Sequence, residues 1–279
     1  MPLQASKAAE YRPADLAALF NRAFANYLAG SINMDTPIFA GFVARESIDL
    51  GLSQVAVRDS KPVGFGLIAR QGWSSRLAGM GVVPEAAGQG VGRWLLGQLV
   101  DEARARGDRL MELEAFEQNT PAVRLYESAG FKVVRRLYGY EVQNAHGLLG
   151  DVALESVDIT EIGRVVAFYG DRDLPWQISG LTIARFSPPH LGYRMEHAYT
   201  VISPPTNPTI VIRALFVLPE FRRQGEAARL LSHLFAIYPD KRWLVPQVCP
   251  EEYGYIYERF GFTRSALNQY QMRLNLTTL

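Results

Sequence analysis

Two stretches of this chain, 135 residues apart, spell the same series of strand, proline, glycine loop and helix. The first runs Gly81-Val82-Val83-Pro84-Glu85, then Gly88-Gln89-Gly90-Val91-Gly92-Arg93. The second runs Phe216-Val217-Leu218-Pro219-Glu220, then Arg222-Arg223-Gln224-Gly225-Glu226-Ala227. The same offset carries Leu95, Leu96, Leu99 and Val100 onto Leu230, Leu231, Leu234 and Phe235, the spacing of one buried helix face. Further on, Tyr126-Glu127 with Gly130-Phe131 answers Tyr257-Glu258 with Gly261-Phe262, now at an offset of 131, so a connection has shortened between the two blocks. A single Pro-Gly coincidence is common; two separated blocks in the same order with the helix stripe preserved mark an internal repeat. A chain of 279 residues repeating at this distance folds as two similar domains, 1–146 and 147–279, with the polar, glycine-containing stretch 144–150 as their boundary.

In the first half, helices are expected near 13–26 and 37–48. Strands at 54–58 and 63–68 flank the turn Asp59-Ser60-Lys61-Pro62, and a third covers 76–83. A long helix runs over 90–106 to Gly107, a strand over 110–116, a helix over 120–129 with Pro121 near its start, and a last strand over 131–142. The second half begins with a strand at 152–157, helices at 159–169 and 175–184, and strands at 197–203 and 209–218, then repeats the helix, strand, helix, strand ending. The expected fold class is α/β (α+β): two tandem domains, each a mixed, mostly antiparallel twisted sheet flanked by helices.

Lys+Arg number 29 against 28 Asp+Glu, so neither the basic excess nor the basic stripe of a nucleic-acid binder is present. Cys249 is the single cysteine, which excludes an internal disulfide; its expected place is a small buried residue. The N-terminus lacks the apolar core of a secretory signal, and no apolar run approaches membrane-spanning length. The expectation is a soluble, cytoplasmic protein with no nucleic-acid or membrane partner. His146, His190, His197 and His233 fall in no metal-ligand spacing, so no metal is expected.

Gly88-Gln89-Gly90-Val91-Gly92 opening a helix after a strand is the strongest chemical signal. Glycines let the backbone approach an anion, and a helix N-terminus presents unpaired N–H groups and a positive dipole end to a phosphate. The dinucleotide pattern G-x-G-x-x-G requires glycine where Arg93 stands, and a P-loop would further require lysine in place of Trp94. Neither fits.

The two blocks together resemble the GNAT family of N-acetyltransferases. That family's loop reads Q/R-x-x-G-x-G/A after a strand ending Val-x-Pro. Ala87 through Gly92 match it in the glycines, with alanine in the Gln/Arg place, and Arg222 through Ala227 match it in full. The downstream family block is filled by Leu113, Glu114, Asn119, Ala122, Leu125, Tyr126, Gly130 and Phe131.

The resemblance implies an acyltransferase moving the acetyl group of acetyl-CoA to a primary amine on a small molecule or peptide. It implies that Met80, Gly81 and Val82 bind the pantetheine arm by their backbone. Gly88, Gln89, Gly90, Val91, Gly92 and Arg93 would hold the pyrophosphate. Asn119 would touch the coenzyme, its plainer role being a helix cap. Tyr126 would protonate the departing thiolate, a core tyrosine being the alternative. Glu114 stands where some members draw a base; a solvated strand face shared with Glu112 explains it equally. In the second half the offset of 131 sets Val245 opposite Glu114 and Pro250 opposite Asn119, which leaves Tyr257 alone. Catalysis is therefore expected in the first half. The alternatives are a coenzyme-binding scaffold or sensor without turnover, and activity in the second half. The acceptor would lie against 13–48, where Asp15, Asp35, Glu46 and Asp49 are the acidic residues weighed for attracting an amine.

Overall fold

The computed structural model describes residues 2–30, 32–150 and 152–277. In chain order the strands and α-helices are β1 (Gln4–Lys7), α1 (Pro13–Ala23), α2 (Thr36–Glu46), β2 (Ile48–Arg58), β3 (Lys61–Gln71), β4 (Ser74–Val82), α3 (Val91–Ala105), β5 (Leu110–Phe116), α4 (Thr120–Ser128) and β6 (Lys132–Gln143). There follow β7 (Glu155–Val157), α5 (Ile159–Tyr169), α6 (Gly180–Ile183), β8 (Leu191–Met195), β9 (Ala198–Ile202), β10 (Thr209–Val217), α7 (Glu226–Ile237), β11 (Arg242–Pro250), α8 (Tyr255–Glu258) and β12 (Thr263–Asn275). No helix among the described residues is long and apolar enough to cross a membrane.

Two compact units result, one of Met1–Val134 with Tyr270–Leu279, the other of Arg135–Gln269. This division differs from the boundary expected at 146/147. The reason is strand pairing. β6 runs antiparallel to β11, with Tyr138 opposite Cys249 and Gln143 opposite Arg242, so most of it belongs to the second unit. The first unit draws its last strand segment from the end of the chain, where β12 lies next to β5.

The first unit orders its strands β1-β2-β3-β4-β5-β12, with β4 and β5 parallel. The second orders them β12-β6-β11-β10-β9-β8-β7, with β10 and β11 parallel. Each is a mixed, mostly antiparallel sheet. The repeat extends to a detail of backbone geometry: β4 bulges at Ala78 against β3, and β10 bulges at Arg213 against β9, again 135 residues apart.

The expected helix faces are the buried ones. Leu95, Leu96, Leu99 and Val100 of α3 are at most 5% exposed, and Leu230, Leu231, Leu234 and Phe235 of α7 at most 1%. A Cβ on Gly66 would lie 2.4 Å from Leu99 Cδ1, so the absent side chain at 66 is what lets α3 settle on β3.

Other boundaries moved. α2 stops at Glu46 because Ser47 turns left-handed at φ 60, and Ile48 already opens β2. The alternation of β2 is masked by a register shift between Asp49 and Gln54, where Asp49 Oδ1 accepts from Gly51 and Leu52 N–H instead. The helix expected at 175–184 is two short turns, Trp176–Ile178 and α6, split where Ser179 caps the second. β1 and β8 carry no alternation strong enough to be read from sequence.

Met272, Leu274 and Leu276, at most 7% exposed, pack into the core of the first unit. A chain ending at Gln269 should lose about 5 kcal/mol or more of that unit's stability, from three large apolar side chains returned to water. Hydrogen exchange followed by mass spectrometry should find β5 and α3 deprotected while β8 to β10 keep their protection.

Candidate active site

β5 leaves β4 after Leu77 and Leu113, although β4 continues to Val82 and β5 to Phe116. On its other side β4 stays in register with β3, pairing Met80 with Gly66, Gly81 with Phe65 and Val82 with Gly64. Met80, Gly81 and Val82 therefore line a wedge with one backbone edge out of the ladder, and they are half-buried. The bulge at Ala78 bends β4 at the point of departure.

At the open end of the wedge, Gly88 (φ 73) and Gly90 (φ 80) hold the left-handed conformation, and Gly90 is the N-cap of α3. A Cβ on either would meet nothing within 4 Å, so it is the backbone conformation, not packing, that calls for glycine at 88 and 90. Gly92 faces the floor, where a Cβ would stand 3.4 Å from Leu125 Cδ2 and 3.7 Å from Val82 Cγ2. Val91 is buried beneath, and Arg93 is exposed. Gln89 is a brace: its Nε2 donates to Glu85 O at 2.8 Å, and its Oε1 accepts from Arg58 Nη1 at 2.6 Å. Gln224 repeats the first of these bonds to Glu220 O at 2.9 Å.

Tyr126 sits on α4, is 8% exposed and meets Phe131 edge-on at 6.0 Å. Burial, with Tyr27 adding to it, holds its phenol well above the ordinary tyrosine range. It keeps its proton at neutral pH and packs in the core of the first unit. Tyr27, whose own phenol is raised by burial, joins an aromatic series with Phe24 (4.8 Å) and Phe116 (5.8 Å). Nothing in the sequence singled out Tyr27. Asn119 is the N-cap of α4, its Oδ1 accepting from Ala122 N at 3.4 Å, so the plainer of its two roles is present.

Glu114 does not lie on a solvated face. Its side chain is 3% exposed and accepts from Arg76 Nε at 2.8 Å; Arg76 Nη1 reaches Glu46 at the end of α2 at 3.0 Å. Glu112 is 6% exposed and accepts from Arg273 Nε of β12 at 3.1 Å. Burial, then the neighbouring Glu114, raises the Glu112 carboxyl, against the pull of Arg273. Three carboxylates and two guanidiniums thus lie beneath the wedge. The signal for Arg76 was the one charged residue in its strand. Its partners are 30 and 38 residues away and carry no local mark.

The second unit repeats the wedge, β10 leaving β11 after Val211 and Leu244. Pairing corrects the residue opposite Glu114. Ser74 pairs with Leu110 as Thr209 pairs with Arg242, which sets Pro246, not Val245, in the place of Glu114. Leu113 and Val245 are the matched buried pair. The offset falls from 135 at Ser74 to 132 at Leu110 and 131 at Tyr126, so no one constant offset fits both units. Pro250 caps the short turn Glu251–Tyr253 without a side-chain bond, so the second unit has no carboxylate or carboxamide at these two places. Tyr257 is 5% exposed beside Tyr140 and Cys249, and burial raises both its phenol and the Cys249 thiol, the latter to about 12.

Residues 20–131 match the model of the acetyltransferase (GNAT) family. The [ribosomal protein bS18]-alanine N-acetyltransferase of Escherichia coli is 42% identical over 64 residues, covering 22% of this chain and 43% of that protein. The chain spans less than half the length of the curated relatives it matches. A GCN5-related N-acetyltransferase from Sphaerobacter thermophilus superposes with TM-score 0.70 at 15% identity, over 99% of this chain and 96% of that one. A tandem GNAT protein from the clavulanic acid biosynthesis pathway superposes with TM-score 0.66 at 14% identity, over the whole of both chains. Residues 20–131 thus match the acetyltransferase (GNAT) family model, and the chain as a whole has the fold of a tandem GNAT protein.

Proposed function

We propose that this protein is an N-acetyltransferase that moves the acetyl group of acetyl-CoA to a primary amine in the wedge of the first unit. The observation that carries the reading is the coincidence, in one unit, of an open glycine loop, a splayed strand and a buried protonated tyrosine. The loop fits a pyrophosphate. Gly88 and Gly90 leave the N–H groups at the start of α3 uncovered, and the segment with the side chains bonded to it carries Arg22, Arg58 and Arg93 against Glu85. Met80, Gly81 and Val82 offer the backbone edge that a pantetheine arm would follow.

The coenzyme supplies an activated acetyl thioester. The amine nitrogen forms the C–N bond as the C–S bond breaks, the sulfur takes the proton of Tyr126, and the nitrogen loses its own proton to water. The raised phenol pKa keeps the proton on Tyr126 at neutral pH, so it is present when the sulfur gains charge, and the same burial makes the phenol a weaker acid than a free one. Glu114 already accepts a charge-assisted bond from Arg76, and protonating it would weaken that bond. We therefore place Glu114 as a positioning residue that fixes Arg76 and the end of α2 rather than as the group that strips the amine. The acceptor is a small-molecule or peptide amine entering beside α1 and α2; relatives bearing either kind of substrate in their names support that breadth.

Acetyl-CoA should raise the melting temperature more than NADH or ATP does, because a ligand of the folded state stabilises by mass action. Equal stabilisation by ATP would count against the loop assignment. Replacing Tyr126 by Phe should lower turnover by roughly a hundredfold or more with coenzyme affinity nearly kept, read by thiol release and by calorimetry. Wild-type turnover would return Tyr126 to the core.

Arg76→Met should cost about 3–5 kcal/mol in denaturant unfolding by leaving buried Glu114 without its Arg76 partner, while half-buried Glu46 keeps Arg45. Adding Glu114→Gln to Arg76→Met should recover part of that loss.

Gly90→Glu should abolish activity through bulk and like charge at the N-terminus of α3, and Gly225→Glu should leave most of it. Circular dichroism must show both variants folded, since a side chain at positive φ also strains the backbone. The reverse pattern would move the active site to the second unit.

A further inference from the structure

The second unit contains a cavity of about 520 Å³ in the place that matches the first unit's wedge. Leu215, Phe216 and Val217, the counterparts of Met80, Gly81 and Val82, form one wall. Leu174, Ile178 and Ile183 from the segment after α5 close the other side, and Val248, Cys249 and Tyr257 form the far end. This volume is in the range of sites for small organic ligands.

The mouth of the cavity does not suit a coenzyme. Glu226, the first residue of α7, stands where Val91 stands in the first unit. It lines the cavity and is 6% exposed; Oε1 is held by Arg229, and Oε2 has no hydrogen-bond partner among the described residues. A carboxylate there meets an incoming phosphate with like charge in a poorly solvated place. The arginines leave that carboxylate in place: over the whole wall Arg213, Arg222, Arg223 and Arg259 stand with Asp171, Glu226 and Glu252, so an anion is opposed at Glu226 itself and not by the net charge of the wall. Arg222 is turned to Val217 O at 3.2 Å and to Asp171 at 3.7 Å, and Arg229 is shared between Glu226 and Glu196. Over 219–229 and the side chains paired with it, Arg222, Arg223 and Arg229 face four carboxylates, Asp171, Glu196, Glu220 and Glu226. The matching segment of the first unit, 84–94, sets three arginines against one.

We propose that this cavity is a binding site for an uncharged or weakly basic apolar molecule bearing an N–H or O–H donor, and that it does not take the coenzyme. The apolar body fills the space between β10 and the segment after α5. The donor supplies Glu226 Oε2 with its missing partner, and an anionic group is rejected at the same point.

Two fluorescent probes differing by one sulfonate test this on the full chain: N-phenyl-1-naphthylamine, a neutral secondary amine, and 8-anilino-1-naphthalenesulfonate. The neutral probe should bind roughly tenfold more tightly than the sulfonate. Val248→Trp, and separately Ile183→Trp, should weaken it at least about tenfold by filling the cavity. Glu226→Gln should narrow the preference between the probes, and coenzyme A should fail to displace the neutral probe from the wild-type chain. Displacement by coenzyme A, equal affinity for the sulfonate, or unchanged binding in a folded cavity-filling variant would each overturn the proposal. The wild-type competition decides the matter even where a tryptophan variant does not fold.

Discussion

The geometry of each unit depends on one interruption of hydrogen bonding: the point at which a parallel pair of strands stops pairing while both strands continue. In the first unit it follows Leu77 and Leu113, in the second Val211 and Leu244. A sheet normally pays heavily for unpaired backbone in its interior. Here the break is held open from outside, by a bulge one residue on in the first unit, by the antiparallel neighbour that keeps the far edge in register, and by a helix that packs on the sheet through a fully buried stripe. The loop that caps this helix lies at the mouth of the opening because strand, proline, loop and helix are consecutive in the chain.

Beneath the first wedge lies a set of buried charges. Arg76 between Glu46 and Glu114, with Glu112 on Arg273, joins α2, β4, β5 and β12. Buried ion pairs add little net stability over apolar packing, but losing one member is costly. Their structural consequence is alignment. The end of α2 is tied to β5, and β12 is tied to the same strand.

The two units share one scaffold, and at the loop and the neighbouring strand they differ in a few side chains. Gly81 corresponds to Phe216, Val91 to Glu226, Glu114 to Pro246, and Asn119 to Pro250. None disturbs the core. Together they replace a positively balanced glycine loop by one carrying a buried carboxylate, and remove the carboxylate and the side-chain cap from the neighbouring strand and turn.

The repeat, the helix stripes and the glycine turns of the loop were legible in the sequence, because each is local: a period, a proline, a glycine needing positive φ at 88, 90 and 225. Tyr126 and Glu114 were legible as members of a spaced block, though not their surroundings. Where β6 and the tail of β12 pair was decided by tertiary structure, since strand partners far apart in sequence leave no periodic mark. The same holds for Arg76 between two distant carboxylates, for Tyr27 beside Tyr126, and for Pro246 rather than Val245 opposite Glu114. Connections of different length break any constant offset, and only backbone pairing shows which residues stand in matching places.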